Sequence, residues 1–95
     1  MPDTKITIIG AGFVGMSLAA LLSQANNVVV LDIDKTKVRK INAMQSTVDD
    51  PGIAEALQSK AIHLSATTNS KEALTNSNYV FIATPTNFNE KTSLL

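Results

Sequence analysis

The sequence predicts an α/β fold: a partial, doubly wound sheet of four parallel strands in the order 3-2-1-4, with helices on both faces. Three observations point there. The apolar run Ile6-Thr7-Ile8-Ile9 enters Gly10-Ala11-Gly12-Phe13-Val14-Gly15 and then a helical pattern. Strand and helix patterns go on alternating along the chain, as a parallel sheet requires. An acid, Asp32, ends the second strand 22 residues after Gly10.

The first strand covers Lys5 to Gly10. The helix after the glycines carries Val14, Leu18, Leu21, Leu22 and Ala25 at i, i+4, i+7, i+8 and i+11, an apolar stripe expected to face the sheet. Asn26-Asn27 is expected to close that helix, because Asn tolerates the left-handed conformation of a C-terminal turn. Val28-Val29-Val30-Leu31-Asp32 reads as a strand covered on both faces. Asp34 is expected to cap the second helix, with Val38, Ile41 and either Met44 or Gln45 inward. Ser46 to Asp49 forms a polar connection. Asp50 then caps a third helix with Pro51 in its first position, where the missing N–H costs nothing. Ile53 and Leu57 give that helix its apolar contact. Ala61 to Ala66 predicts the third strand, with Ile62 and Leu64 on one face and His63 on the other. Thr67 to Ser70 turns the chain, and Lys71 to Leu74 makes at least one helical turn. A fourth, hydrophobic strand runs from Asn78 or Tyr79 to Ala83. Pro85 cannot continue a ladder, so Thr84-Pro85-Thr86-Asn87 ends it, and Phe88 to Leu95 reads as a loop.

Ninety-five residues allow one small domain, which buries only about 60–68% of its unfolded surface. With three Phe, one Tyr and no Trp, its core must be aliphatic. Eight basic and eight acidic residues cancel, and no basic stripe suggests nucleic acid or an anionic membrane. The absence of cysteine excludes a disulfide framework, a thiolate metal site and a cysteine nucleophile within these residues. Apolar runs fall short of a membrane span, and Met1-Pro2-Asp3-Thr4-Lys5 lacks the layout of a signal peptide. A cytoplasmic protein is expected.

The glycines have separate tasks in a dinucleotide site. Gly10 permits the tight turn, Gly12 lets the backbone approach a pyrophosphate, and Gly15 lets the helix pack closely. Phe13, Val14 and the neighbouring N–H groups open a helix whose positive dipole end suits phosphate oxygens. Asp32 stands where a carboxylate can accept both hydroxyl protons of an adenosine ribose. The same charge would repel a 2′-phosphate, which favours NAD over NADP. Asp34 adds to that bias but is equally explained by capping. Lys37 sits one turn into the second helix near the ribose edge, where a solvated lysine accounts for it as well. Thr84, Pro85 and Thr86 follow the carboxyl end of a parallel strand, the end at which open sheets bind ligands. His63 has no acidic or nucleophilic neighbour and reads as packed or superficial. Met16 and Met44 read as core filler. No carboxylate pair, metal-ligand spacing or nucleophile with its base is visible, so this stretch alone is not expected to carry out directed chemistry.

Gly10 to Leu18, Leu31 to Val38, Ile41-Asn42 and Ile82 to Asn87, in unbroken order from Lys5 onward, resemble the start of the UDP-glucose/GDP-mannose dehydrogenase family. The resemblance implies a Rossmann-like NAD-binding domain in an enzyme that oxidises a nucleotide-sugar C6 alcohol to a carboxylate in two steps. It also implies that Val14 lies against the cofactor, Asp32 and Lys37 contact the adenosine ribose, and Thr86 contacts NAD near the diphosphate and nicotinamide. Within Ser46 to Gly52 the chain departs from the family pattern, because Thr47 stands where proline is common. The family's catalytic and sugar-binding residues are expected beyond position 95, so these residues represent roughly its first quarter, as a piece of a longer protein or a shortened reading frame. A UDP-sugar substrate is then expected only with the full-length enzyme. The unpaired edge of the fourth strand is expected to favour association with a second copy.

Overall fold

The computed structural model describes residues 3–59 and 61–84. In chain order these form β1 (Lys5–Ile9), α1 (Phe13–Leu22), β2 (Asn27–Leu31), α2 (Lys35–Asn42), α3 (Pro51–Leu57), β3 (Leu64–Thr67), α4 (Ser70–Leu74) and β4 (Tyr79–Ile82). The strands make one parallel sheet in the order β3-β2-β1-β4, as the alternating pattern predicts. None of the described helices is long and apolar enough to cross a membrane.

Register decides which residues share a face. Ile6 stands beside Val28 and Val28 beside Leu64; Ile8 stands beside Val30 and Val30 beside Ala66. All six are buried, and they pack with Met16, Ala19 and Ala20 of α1, Val38 and Ile41 of α2, and Ile53 and Leu57 of α3. Thr7 alternates to the opposite face, where α4 lies. Its hydroxyl donates to the Ala73 carbonyl at 2.6 Å and meets the Ser77 hydroxyl at 2.5 Å. Lys5 Nζ donates to the carbonyls of Glu72 and Thr75 at the C-terminal end of α4, where a cation suits the helix dipole.

Local capping follows the sequence closely. Asp34 accepts from the N–H groups of Thr36 and Lys37, and Asp50 accepts from the N–H of Ile53 behind Pro51. Elsewhere the structure differs from expectation. Of the predicted stripe on α1, Leu18 and Leu22 pack partly buried against the core, but Val14, Leu21 and Ala25 are exposed, and the fully buried face is Gly15, Met16, Ala19 and Ala20. Large apolar residues surround this helix, so periodicity alone could not fix its rotation. The close seat of Gly15 on the glycine turn does, and it brings the small residues toward the sheet. Asn26 and Asn27 do not adopt the left-handed conformation: Asn26 Nδ2 instead donates to the Leu22 carbonyl, and Asn27 begins β2. Among the described non-glycine residues that conformation is taken by Asn76 (φ 61°) after α4 and by Met44 (φ 58°), which is half-buried at the end of α2 and lies outside the main core. There Gln45 N–H reaches the Lys40 carbonyl and Met44 N–H that of Ile41, the paired bonds of a Schellman turn.

The third strand starts at Leu64 rather than Ala61 and runs to Thr67. Ile62 and His63 precede it, half-buried, with His63 N–H held by the Ser23 carbonyl. The fourth strand is hydrophobic as predicted, yet all four of its residues are exposed. Pro85, Thr86, Asn87 and the loop expected over Phe88 to Leu95 lie outside the described residues.

Candidate functional site

β1 ends at Ile9, and the ladder with β2 is prolonged by Gly10 N–H donating to the Leu31 carbonyl at 2.8 Å. Gly10 then takes φ +108°, a conformation that L side chains rarely adopt. A Cβ here would also meet the backbone of Ala83 and Thr84 at 2.9 Å, so the turn is pressed against the end of β4. Gly15 is tighter still, since a Cβ there would lie 1.9 Å from the Gly10 carbonyl oxygen. Gly12 is the opposite case. Nothing lies within 4 Å of a Cβ built on it. As the N-cap of α1 it brings no side-chain acceptor to the first turn, which leaves those N–H groups for another partner.

Asp32 leaves the end of β2 toward this turn. One carboxylate oxygen accepts from Ala11 N–H at 2.8 Å and the other from Asp34 N–H at 2.9 Å. Two backbone donors therefore fix the carboxylate plane, and each oxygen keeps a lone pair for a further donor. Asp32, Gly10 and Thr84 line a single cavity of about 350 Å³ with Ile9, Leu31, Ile33, Thr68 and Ser70. It opens at the carboxyl ends of the strands, on the line where β2 and β4 flank β1 and the sheet is wound in opposite senses.

The other candidates are placed differently. Phe13 and Val14 begin α1 with both side chains 59% exposed. Lys37 is half-buried on α2, with its N–H on the Asp34 carboxylate, and is not among the residues lining the cavity. His63 lies at the opposite end of the sheet with Lys5 and Asn27. No group of three His, Cys, Asp or Glu suited to a metal ion occurs among the described residues.

Three features escaped the sequence reading. Ile33 is 95% exposed beside Asp32, an apolar side chain at the rim of the cavity that the Asp32 carboxylate faces. Its signal was present: an isoleucine set between two acids just after a strand. Thr68 and Ser70 reach the cavity through the β3–α4 turn, which the sequence places without showing that it faces the glycine turn. Thr47, in the α2–α3 connection, donates its hydroxyl to the Ala11 carbonyl at 2.6 Å across 36 residues of sequence.

An open approach at Gly12, an uncapped helix N-terminus and a fixed carboxylate at the end of β2 fit a dinucleotide's diphosphate and adenosine ribose. Comparison with known proteins agrees. The chain is 42% identical over 84 residues to the UDP-glucose 6-dehydrogenase of Streptococcus pneumoniae, a match covering 88% of this chain and 21% of that protein. It is 35% identical over 85 residues to the GDP-mannose 6-dehydrogenase of Pseudomonas aeruginosa, covering 86% and 20%. The crystal structure of a ternary complex of the GDP-mannose dehydrogenase from P. aeruginosa superimposes with a TM-score of 0.80 at 33% identity, over 90% of this chain and 20% of that one. The chain thus spans about a fifth of the length of these relatives. The model of the UDP-glucose/GDP-mannose dehydrogenase family's NAD-binding domain matches residues 4–94, and the chain belongs to that family.

Proposed function

We propose that these residues hold NAD for a nucleotide-sugar 6-dehydrogenase. Gly10, Gly12, Phe13, Val14 and Gly15 cradle the diphosphate, Asp32 takes the adenosine ribose with Lys37 at its edge, and Thr84, Pro85 and Thr86 flank the cofactor beyond it. The observation that carries this reading is the Asp32 carboxylate, set by two backbone N–H groups on the cavity that Gly10 and Thr84 also line. Its charge favours a ribose diol over a 2′-phosphate, hence NAD over NADP.

When bound, NAD supplies the hydride acceptor for oxidation of an alcohol. In the whole enzyme we take the substrate to be the C6 hydroxyl of UDP-glucose, oxidised to a carboxylate with two NAD⁺. The 42% identity to a UDP-glucose 6-dehydrogenase supports that choice over GDP-mannose, whose dehydrogenase matches at 35%. UDP-N-acetylmannosamine is a further alternative. The 95 residues contain no cysteine nucleophile, and no acid–base pair stands at the cavity among the described residues, so this chain alone is proposed to bind without turnover. A cytoplasmic setting, where the cofactor is available, goes with the reading.

NMR titration of the chain with NAD or ADP tests it. Shifts should concentrate at Gly10 to Gly15 and Asp32, with a dissociation constant on the order of 0.1–1 mM or weaker, because few walls offset the cost of ordering the ligand. Absence of shifts at millimolar ligand would refute binding, and NADH formation from UDP-glucose by the chain alone would refute the proposed inactivity.

A second reading, self-association, is favoured by β4, whose side chains are 40–77% exposed on a strand with no partner on its outer edge among the described residues. It is compatible with the first.

A further inference from the structure

The glycine turn is held from behind by a residue outside the dinucleotide fingerprint. Ala11 is fully buried, and both of its backbone polar groups are taken by side chains. Its N–H goes to Asp32 at 2.8 Å and its carbonyl accepts the Thr47 hydroxyl at 2.6 Å. The peptide joining Ala11 to Gly12 is trans, so the Gly12 N–H points opposite to the Ala11 carbonyl across one rigid plane. Fixing the carbonyl therefore fixes that N–H. It belongs to the residue where the backbone is open to approach and where the helix N-terminus begins.

The geometry points to Thr47 as a positioning residue for the phosphate cradle: by holding the Ala11 carbonyl, it orients the Ala11–Gly12 peptide toward a bound nucleoside diphosphate. This rests on the reading of the site as an NAD site. Thr47 is well placed for the task. It lies in the connection between Met44 and Asp50, tied down on one side by the Schellman turn that ends α2 and on the other by the Asp50 cap of α3. Its neighbour Ser46 closes a local turn through its hydroxyl onto the Val48 carbonyl. The donor thus projects from an ordered loop. Valine at position 47 would keep the shape and lose the donor, leaving the buried Ala11 carbonyl without its partner and the peptide free to rotate.

The test compares ADP with adenosine, because a cradle residue should matter only when a diphosphate is present. The wild-type chain is titrated first with both ligands by NMR, followed by Thr47→Val and Thr47→Ser. Thr47→Val should weaken ADP about tenfold, the scale of one misdirected hydrogen bond to a charged group. Adenosine affinity should stay within about twofold, and Thr47→Ser, which restores a hydroxyl, should recover ADP binding. In the ligand-free variant the Gly12 amide resonance should move while those of α3 stay. Unchanged ADP affinity, equal weakening of both ligands, or failure of Ser to rescue would overturn the inference. Should Thr47→Val melt below the assay temperature, Thr47→Ala is read by the same criteria. No saturable binding of ADP to the wild type would instead overturn the NAD reading itself, and is seen before any variant is made.

Discussion

A single methyl group has opposite consequences at Gly12 and Gly15, three residues apart. At Gly15 it would collide with the Gly10 carbonyl oxygen, which belongs to a turn already pressed on β4. Neither neighbour can yield without moving a strand, so Gly15→Ala should cost about 1–3 kcal/mol as overpacking. For a domain of this size that lowers the melting temperature by roughly 5–20 °C, measurable by circular dichroism. At Gly12 the methyl meets nothing and the backbone is extended (φ −83°, ψ −163°), so the melt should shift by only about 2–3 °C. The space it fills is the one proposed for the diphosphate. NAD affinity of Gly12→Ala should therefore fall at least about tenfold, a cost of about 1.4 kcal/mol. A Gly12→Ala chain that binds NAD like wild type would remove that glycine from the site. The three glycines were easy to see in the sequence; what each one faces depended on β4 and on the turn itself, which no local pattern encodes.

At the level of elements, interactions over a few residues were legible and interactions over many were not. Asp34 and Asp50 cap helices by bonding two or three residues ahead, so their identity and spacing announced them. Asn42 gave no such signal. Its amide pairs with both backbone groups of Ala66, accepting the N–H at 2.9 Å and donating to the carbonyl at 3.0 Å, from 24 residues away. The carbonyls of His63 and Thr67 serve β2, so the alternate residue Ala66 turns its polar groups to the open edge of the sheet. Asn42 occupies that edge as a further strand would, and blocks it. Asn42→Ala should cost about 1–3 kcal/mol by leaving two backbone groups unpartnered, read by urea denaturation at an unchanged m-value. The rotation of α1 was only partly legible, Leu18 and Leu22 packing on the core but Val14 and Leu21 not, for a related reason. Its apolar residues go round the helix, and the decisive contact lies between Gly15 and a turn, outside any helical period.

For the whole molecule, the two edges of the sheet are treated unequally. The β3 edge is covered by Asn42, whereas β4 presents Tyr79, Val80, Phe81 and Ile82 with no described partner on its outer side. The 95-residue chain should therefore form dimers or larger species as its concentration rises, seen by light scattering, and Val80→Lys should suppress them. A clean monomer at high concentration would rule this out. The strand order and parallel sense were legible in the sequence because alternation and the glycine turn leave few topologies open. The open edge of β4 was expected from its place at the end of the strand order; exposure of all four of its side chains was not, since a strand covered on both faces and an uncovered one can share the same apolar composition. The bonds from Thr7 and Lys5 to α4 carry a consequence of another kind. They join residues 66 to 70 positions apart, and β1 gains its second neighbour only when Tyr79 to Ile82 arrive. The first strand made is thus the last to be enclosed. Such distant closures slow folding, so an emerging chain must stay open on the ribosome until nearly all of this sheet has been synthesised.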